Sequence, residues 1–459
     1  MKLTKRFIVR FKWFFIALPV LIGLGVLAYF LVPTLEGVNV SSTLPVDGSL
    51  VSTEGDVEIQ FDRPMKTDSA QAAFKIEPGL QGQFSWDGNR MIFTPRSAFQ
   101  AGVTYQVSLL QGAQSLDGRV LRKVFTWEFT TRRLEIAYLS LAPNRESGEV
   151  WRIPASGGQP VQITESGGKI KEFAVSKTGD YLVYSLDNAQ AGADLWLTAR
   201  DGSGGRRLVD CGAEQCIQAA WSVDSKQIAY SRWGQGGAGN PSGVSHVWLV
   251  DVASGQTAPL YQDFLIQGSN PSWSPDSKRL AVFDANAHSI RILDLVTHQE
   301  ILLPTGLGQD GSWAPDGQEM IYNDVQSTAG LLTVIVYLAD LKNSLVTSIL
   351  GQDLQGEDYS MAEWSPDGTR IAIGVGNTSA VGGKQIEIMK RDGSEPVKVT
   401  HDLTTAYASY QWDPSGLELV FQALQISQAS NGPEIVIWQA STGESQTLVS
   451  NAAMPEWMP

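Results

Sequence analysis

The sequence predicts an all-β protein: a seven-bladed β-propeller, with six as the alternative blade count, preceded by an Ig-like β-sandwich and one N-terminal transmembrane helix. Three observations lead there. A five-residue phrase, cleanest at Trp364-Ser365-Pro366-Asp367-Gly368, recurs through the C-terminal part. Alternating apolar runs separated by Gly, Pro and Asp clusters fill residues 34–132. Residues Trp13 to Val32 carry no charge.

Taken in order, residues 1–12 form a basic tail with Lys2, Lys5, Arg6, Arg10 and Lys12. The uncharged stretch 13–32 is twenty residues, the length at which a helix crosses about 30 Å of hydrocarbon. A cleaved signal peptide would have a shorter apolar core and an Ala-x-Ala-like site, neither of which is evident. Pro19 is tolerated in a membrane helix. Basic flanks stay cytoplasmic, so everything after residue 33 is expected outside the membrane. The expectation is a single-pass cell-membrane protein with its N-terminus in the cytoplasm.

Residues 34–132 read as a small β-sandwich. Val57-Glu-Ile-Gln-Phe61, Met91-Ile-Phe-Thr94, Thr104-Tyr-Gln-Val-Ser-Leu109 and Phe125-Thr-Trp-Glu-Phe129 alternate with period two. Its landmarks are Pro45-Val-Asp-Gly48, Ile59-Gln-Phe-Asp-Arg-Pro-Met65, Phe93-Thr-Pro95, Gly102-Val-Thr-Tyr105 and Phe129-Thr-Thr131. Together they resemble the bacterial Ig-like domain of the SbsA type, over nearly its whole length. That resemblance implies a spacer or adhesive module, here a stalk between membrane and propeller.

Residues 134–459 hold the repeat. Further copies are Trp221-Ser-Val-Asp-Ser, Trp273-Ser-Pro-Asp-Ser, Trp313-Ala-Pro-Asp-Gly and Trp412-Asp-Pro-Ser-Gly, with a degenerate copy from Phe173 to Gly179 and a truncated one at Trp457. Proline pre-sets φ, Asp bonds its own backbone and Gly accepts positive φ, so each phrase is a turn between two strands. From aromatic to aromatic the copies lie 48, 52, 40, 51, 48 and 45 residues apart. A period of about 40–50 residues with four short strands per unit is that of a propeller. Leu134–Ser140, Glu149–Ile153 and Pro160–Thr164 supply three strands without a first, and Met454–Pro459 supplies a first strand with nothing after it. Joining them makes the seventh blade and removes two exposed sheet edges. These repeats resemble the WD40-like PD40 repeat of the TolB-type propellers. The tryptophans are expected to pack between sheets.

Net charge is −14; setting aside the five basic residues of the tail leaves 29 basic against 48 acidic residues, or −19. So acidic a surface disfavours nucleic acid as a partner. Cys211 and Cys216 are the only cysteines, and outside the membrane a close pair is most simply a disulfide. Gly234, Gly236 and Gly239 satisfy a dinucleotide-loop spacing, but no helix follows to receive a pyrophosphate. A hydrolase of the prolyl-oligopeptidase kind would need a Gly-x-Ser-x-Gly turn, which is absent. No metal site and no cofactor are assigned. His246, His288 and His401 fall on one face and His298 on the other.

The remaining candidate is that first face, where the loops entering each blade and those joining its second and third strands emerge. They carry Trp233; Tyr261, Asp263 and Phe264; Asp353, Glu357, Asp358 and Tyr359; and His401, Asp402, Tyr407 and Tyr410. Aromatics mixed with acids at a rim suit a binding surface, and equally describe solvated loops with rings tucked beneath. The expected role is a non-enzymatic, extracytoplasmic binding or scaffold protein of the bacterial cell envelope that presents this face to an envelope protein or peptide. The alternative is a carbohydrate-binding or metal-dependent polysaccharide-lyase-like propeller with acids and histidines around a divalent ion at the channel.

Overall fold

The structure, a computed structural model, describes residues 37–142, 146–234, 243–263, 265–309, 311–328, 331–351, 357–360, 362–377, 382–427 and 432–459. The expected membrane segment lies outside them; among the described residues no helix is long and apolar enough to cross a membrane. Two compact units divide the chain, one ending at Thr131 and the other running from Arg132 to Pro459, with two short loops of the first stretch counted in the second unit.

The first unit is a sandwich of two four-stranded sheets. One has the order Val40–Leu44, Val57–Phe61, Arg90–Pro95, Gly82–Asp87; the other Ser49–Val51, Phe125–Thr131, Thr104–Leu109, Phe74–Glu77. The period-two pattern explains the core: Val57, Ile59 and Phe61 point inward to meet Met91, Phe93, Tyr105, Val107 and Phe129, all essentially buried. The four alternating runs read from sequence are all strands here. A short helix, Thr67–Ala73, was not expected; it buries Ala70 and Ala73 but has no side-chain cap, and its seven residues fall below a recognisable helical period.

In the second unit antiparallel strands pair in fours along the chain. Blade 1 takes Ile170–Val175, Tyr181–Asp187, Ala193–Ala199 and Arg206–Val209. The first strands of blades 2 to 6 are Gln215–Trp221, Gly268–Trp273, Ser312–Trp313, Glu357–Tyr359 with Glu363–Trp364, and Thr405–Trp412. The last group, blade 7, is assembled from both ends of the unit: Ala452–Met458 pairs antiparallel with Glu135–Leu141, placing Trp457 opposite Ile136 and Ala453 opposite Leu139.

Among the described residues of this unit the buried apolar side chains sort into seven clusters, and each joins two neighbouring blades. Ala137 and Met458 of blade 7 pack with Leu182 and Tyr184 of blade 1. Trp221 and Ile228 of blade 2 pack with Val183 and Leu195 of blade 1. The remaining clusters join blades 2 and 3, 3 and 4, 4 and 5, and 5 and 6. The cycle ends where Val420 and Ile437 of blade 6 meet Ile136 and Trp457 of blade 7. Each sheet thus covers both its faces with its neighbours, which one four-stranded sheet could not do alone.

The recurring phrase is a turn with its own hydrogen bonds. In Trp364–Gly368, Ser365 Oγ donates to Asp367 at 2.6 Å, Thr369 N donates to Asp367 Oδ1 at 3.0 Å, and Gly368 N donates to Ser365 O at 2.8 Å. Gly368 takes φ of 68°, which an L side chain rarely adopts. The degenerate copy is corrected by two residues: Gly179 N donates to Ser176 O as Gly368 N does to Ser365 O. The position equivalent to the tryptophan is therefore Val175, opposite Leu182 as Trp364 is opposite Ile371, and not Phe173.

Candidate functional site

Consecutive strands are antiparallel, so the loops entering each blade and those between its second and third strands share one face. The phrase turns lie on the other. Arg370 caps that other face, its guanidinium 5.0 Å from the Trp412 ring centre and donating to Gly416 O at 2.9 Å; Arg279 does the same to Trp313 and Gly317 of blade 4. Arg132 grips the blade 1 turn through Thr178 O and Asp180. The phrase turns are thus held by side-chain bonds to their backbone carbonyls.

On the loop face several expected rim residues prove to be parts of the framework. Tyr410 is 8% exposed and lies on the inner strand of blade 6. Its hydroxyl bonds Ser360 Oγ at 2.6 Å and accepts from Gly374 N at 2.9 Å, and burial pushes its pKa up to about 12. Tyr359 is also buried and donates its hydroxyl to the Glu357 carboxylate. These two are corrected from rim to inter-blade packing: the inner strands run further up than the turn pattern suggests. Tyr261 lies half-buried with the Arg291 guanidinium 5.9 Å from its ring centre, and burial raises its hydroxyl pKa. Tyr407 is half-buried, edge-on to Phe421. Trp233 is half-buried at the end of the second strand of blade 2.

The acids do local work. Asp402 accepts from Thr404 N, Thr404 Oγ1 and Thr405 Oγ1 at 2.7–2.9 Å, and the Thr404 hydroxyl leads in holding its carboxyl below the usual range. Asp263 accepts from Leu265 N, and Asp358 pairs with Lys384 at 3.0 Å. Phe264 and Asp353 lie outside the described residues. His401 and His288 are exposed on this face, His298 is exposed on the other, and His246 is buried on the third strand of blade 2. None is on an inner strand, and among the described residues no three His, Cys, Asp or Glu side chains group closely enough to hold a metal ion.

What the loop face does offer was missed in the sequence. Leu403 is 63% exposed beside His401, and Ile426 is 48% exposed. Ile426 N donates to Thr404 O at 2.8 Å, so these two loops of blade 6 are tied together and present both apolar side chains. Leu265, at 74%, stands at the entrance to blade 3. Single leucines in polar loops carry no period, and only the exposure marks them.

The inner seams hold a second set of groups. Strands Gln215–Trp221, Gly268–Trp273, Thr405–Trp412 and Ala452–Met458 each carry a β-bulge, with Gln218, Asn270, Ser409 and Met454 at φ near +50°. The bulge turns a backbone N–H toward a neighbour: Gln218 N donates to Glu172 Oε1 of blade 1, and Asn270 N to Gln218 Oε1 at 3.1 Å. Glu172 and Glu456 sit half-buried in this zone. Cys211, in the loop that enters blade 2, and Cys216, on its first strand, form a disulfide beside it, with Cα atoms 6.2 Å apart.

The profile of the TolB β-propeller domain matches residues 187–422, just over half of the chain, and that of the bacterial Ig-like domain matches 36–131. No curated protein matches the sequence. Among solved structures, TolB from Acinetobacter baumannii is similar at 16% identity, covering 86% of this chain and 86% of that one with a TM-score of 0.44. The β-propeller domain of the trilobed protease from Pyrococcus furiosus is 13% identical, covering 61% and 84%, with a TM-score of 0.47. A puromycin-hydrolysing peptidase from Mycobacterium tuberculosis is 13% identical, covering 70% of this chain and 53% of that one, with a TM-score of 0.50. Likeness at these identities is one of fold.

Proposed function

This chain belongs to the TolB β-propeller family, and we propose that it is a non-catalytic scaffold of the bacterial cell envelope, anchored by residues 13–32 and presenting its loop face to an envelope protein or peptide. The observation that carries the reading is that Leu403 and Ile426, on two loops of blade 6 tied together by the Ile426 N to Thr404 O bond, are both exposed. Apolar anchors surrounded by polar rim are what a protein partner buries. Past its basic tail the chain carries −19, so a partner with a basic rim around an apolar contact is favoured in encounter. The disulfide supports an oxidising, extracytoplasmic setting.

The test is cross-linking in intact cells with the full-length protein, comparing wild type with the double variant Leu403→Asp, Ile426→Asp. Both side chains are exposed, so the melting temperature should not move. The wild type should capture one or a few envelope proteins that the double variant loses. Equal capture by both, or no capture by either, would count against this face.

A further inference from the structure

One bond recurs at the inner seams. Trp221 Nε1 donates to Ala174 O of the preceding blade, Trp273 Nε1 to Ala220 O, and Trp313 Nε1 to Ser272 O. Trp364, Trp412 and Trp457 repeat it toward Ser312, Glu363 and Gln411. The seam between blades 7 and 1 departs from the pattern, because Val175 stands at the tryptophan position and has no indole to give. There the bond is made by a carboxylate instead: Val175 N donates to Glu456 Oε2 at 2.7 Å.

That substitution involves the strand that closes the ring, Ala452–Met458, on the side where it faces blade 1. Glu456 lies two residues into the strand from Met454, and its backbone pairs with Ala137. From blade 1 it is approached by Glu172, whose own carboxylate accepts from Gln218 N and from Ser185 Oγ at 3.3 Å. Lys171, the basic residue next to Glu172, is engaged by Asp187 at 2.9 Å and Gln215 at 2.9 Å. Glu135, on the strand paired with Glu456, is neutralised by Arg152 and Arg200. Blade 6 contributes the uncharged Gln411 at its inner strand. Two carboxylates therefore meet at this seam, and among the described residues the neighbouring basic side chains, Lys171, Arg152 and Arg200, are engaged elsewhere.

We propose that Glu456 is a proton-operated latch on the ring: protonated, it holds the terminal strand Ala452–Met458 against blade 1, and ionised, it lets that strand open more readily than any other inner strand. Burial, before any other influence, lifts its pKa to about 7; the neighbouring Glu172 adds to the lift, and the Val175 N–H opposes it. A carboxyl whose pKa is raised on folding contributes stability that is complete below the ordinary value near 4.5 and is lost as pH rises through about 7. The latch is thus shut in mildly acidic surroundings and loosened in mildly alkaline ones.

Hydrogen exchange on the purified full-length protein at pH 5.5 and pH 8.5, corrected for the intrinsic rate of an unfolded peptide, reads the opening of each strand. The opening constant over residues 452–459 should rise at least tenfold between the two, since each pKa unit corresponds to about a factor of ten. The inner strand of blade 3 should change less than twofold. In Glu456→Gln the amide keeps an acceptor for Val175 N but cannot ionise, and the rise should shrink to the smaller part that Glu172, whose own pKa burial raises, still contributes. Should that variant not fold, Glu172→Gln removes the opposing charge and should shift the midpoint of the transition to lower pH. An unchanged pH response in Glu456→Gln, an unmoved midpoint in Glu172→Gln, or an equal rise in every blade would overturn the latch.

Discussion

Replacing Trp364 by Phe isolates what the recurring indole does. The side chain is 5% exposed between blades 4 and 5, and its Nε1 donates to Ser312 O at 3.1 Å. Phenylalanine keeps most of the apolar ring but removes the donor, leaving the Ser312 carbonyl without that partner inside the seam. The lost hydrogen bond is about 0.5–1.5 kcal/mol, and the space left by the missing ring adds roughly 1 kcal/mol. The sum is about 2 kcal/mol, against about 3–5 kcal/mol for Trp364→Ala. Trp313→Phe should cost less, because Trp313 is only half-buried and divides its bond between Ser272 O at 3.3 Å and Ser272 Oγ at 3.2 Å. Urea unfolding of the propeller transition gives these differences from the midpoints, provided the slope is unchanged. If Trp364→Phe stayed within about 0.5 kcal/mol of wild type, below the lower end expected for a lost hydrogen bond, the indole would be mere filler.

Two glycines separate strain from collision. Gly368→Ala meets nothing closer than Pro315 Cδ at 3.5 Å, so only its φ of 68° matters, and about 1 kcal/mol should be lost. Gly179→Ala adds a Cβ 2.5 Å from Pro459 O at a similar φ, and should melt lower than Gly368→Ala in the same thermal scan. Removing the Cys211–Cys216 disulfide by a double Ser substitution opens a short loop and should cost about 2 kcal/mol on the chain-entropy estimate. Reductant should then lower the melting temperature of wild type and leave the double variant alone. Glu135 is pushed up by burial, but its hydrogen bonds from Arg152 and Arg200 outweigh this and leave its pKa lowered. Its contribution is present above its ordinary value and lost as pH falls below it, so Glu135→Gln should flatten the acid limb of the pH–stability curve.

The architecture was legible because its signals are local. A Trp before Pro-Asp-Gly reports a strand end and a turn at once, and Val57-Glu-Ile-Gln-Phe reports which face is inside. The misplaced copy at Phe173 shows the limit of counting aromatics: the equivalence is fixed by the Gly179–Ser176 turn bond, and Val175 has the wrong side chain to announce it. Tyr359 and Tyr410 were misread as rim because polarity in the entering loops hides that the strands begin before them. Leu403, Ile426 and the Glu456–Glu172 meeting depend on residues far apart in the chain being brought together. The last pair joins positions 172 and 456, which no local window connects.

Closure of the ring by its own terminal strand is most directly tested with a paired cysteine variant, Ser140→Cys with Ala452→Cys. These two residues face each other across the closing pair of strands, and facing antiparallel residues lie about 4.5–5.5 Å apart at Cα, within reach of a disulfide. A control pair, Ala220→Cys with Ala229→Cys, faces across the first two strands of blade 2 in the same way. A closed ring predicts that both pairs link under mild oxidation, with the 140–452 bridge recovered as one joined peptide. Linking of the control without any 140–452 bridge would mean that the ring is not closed there.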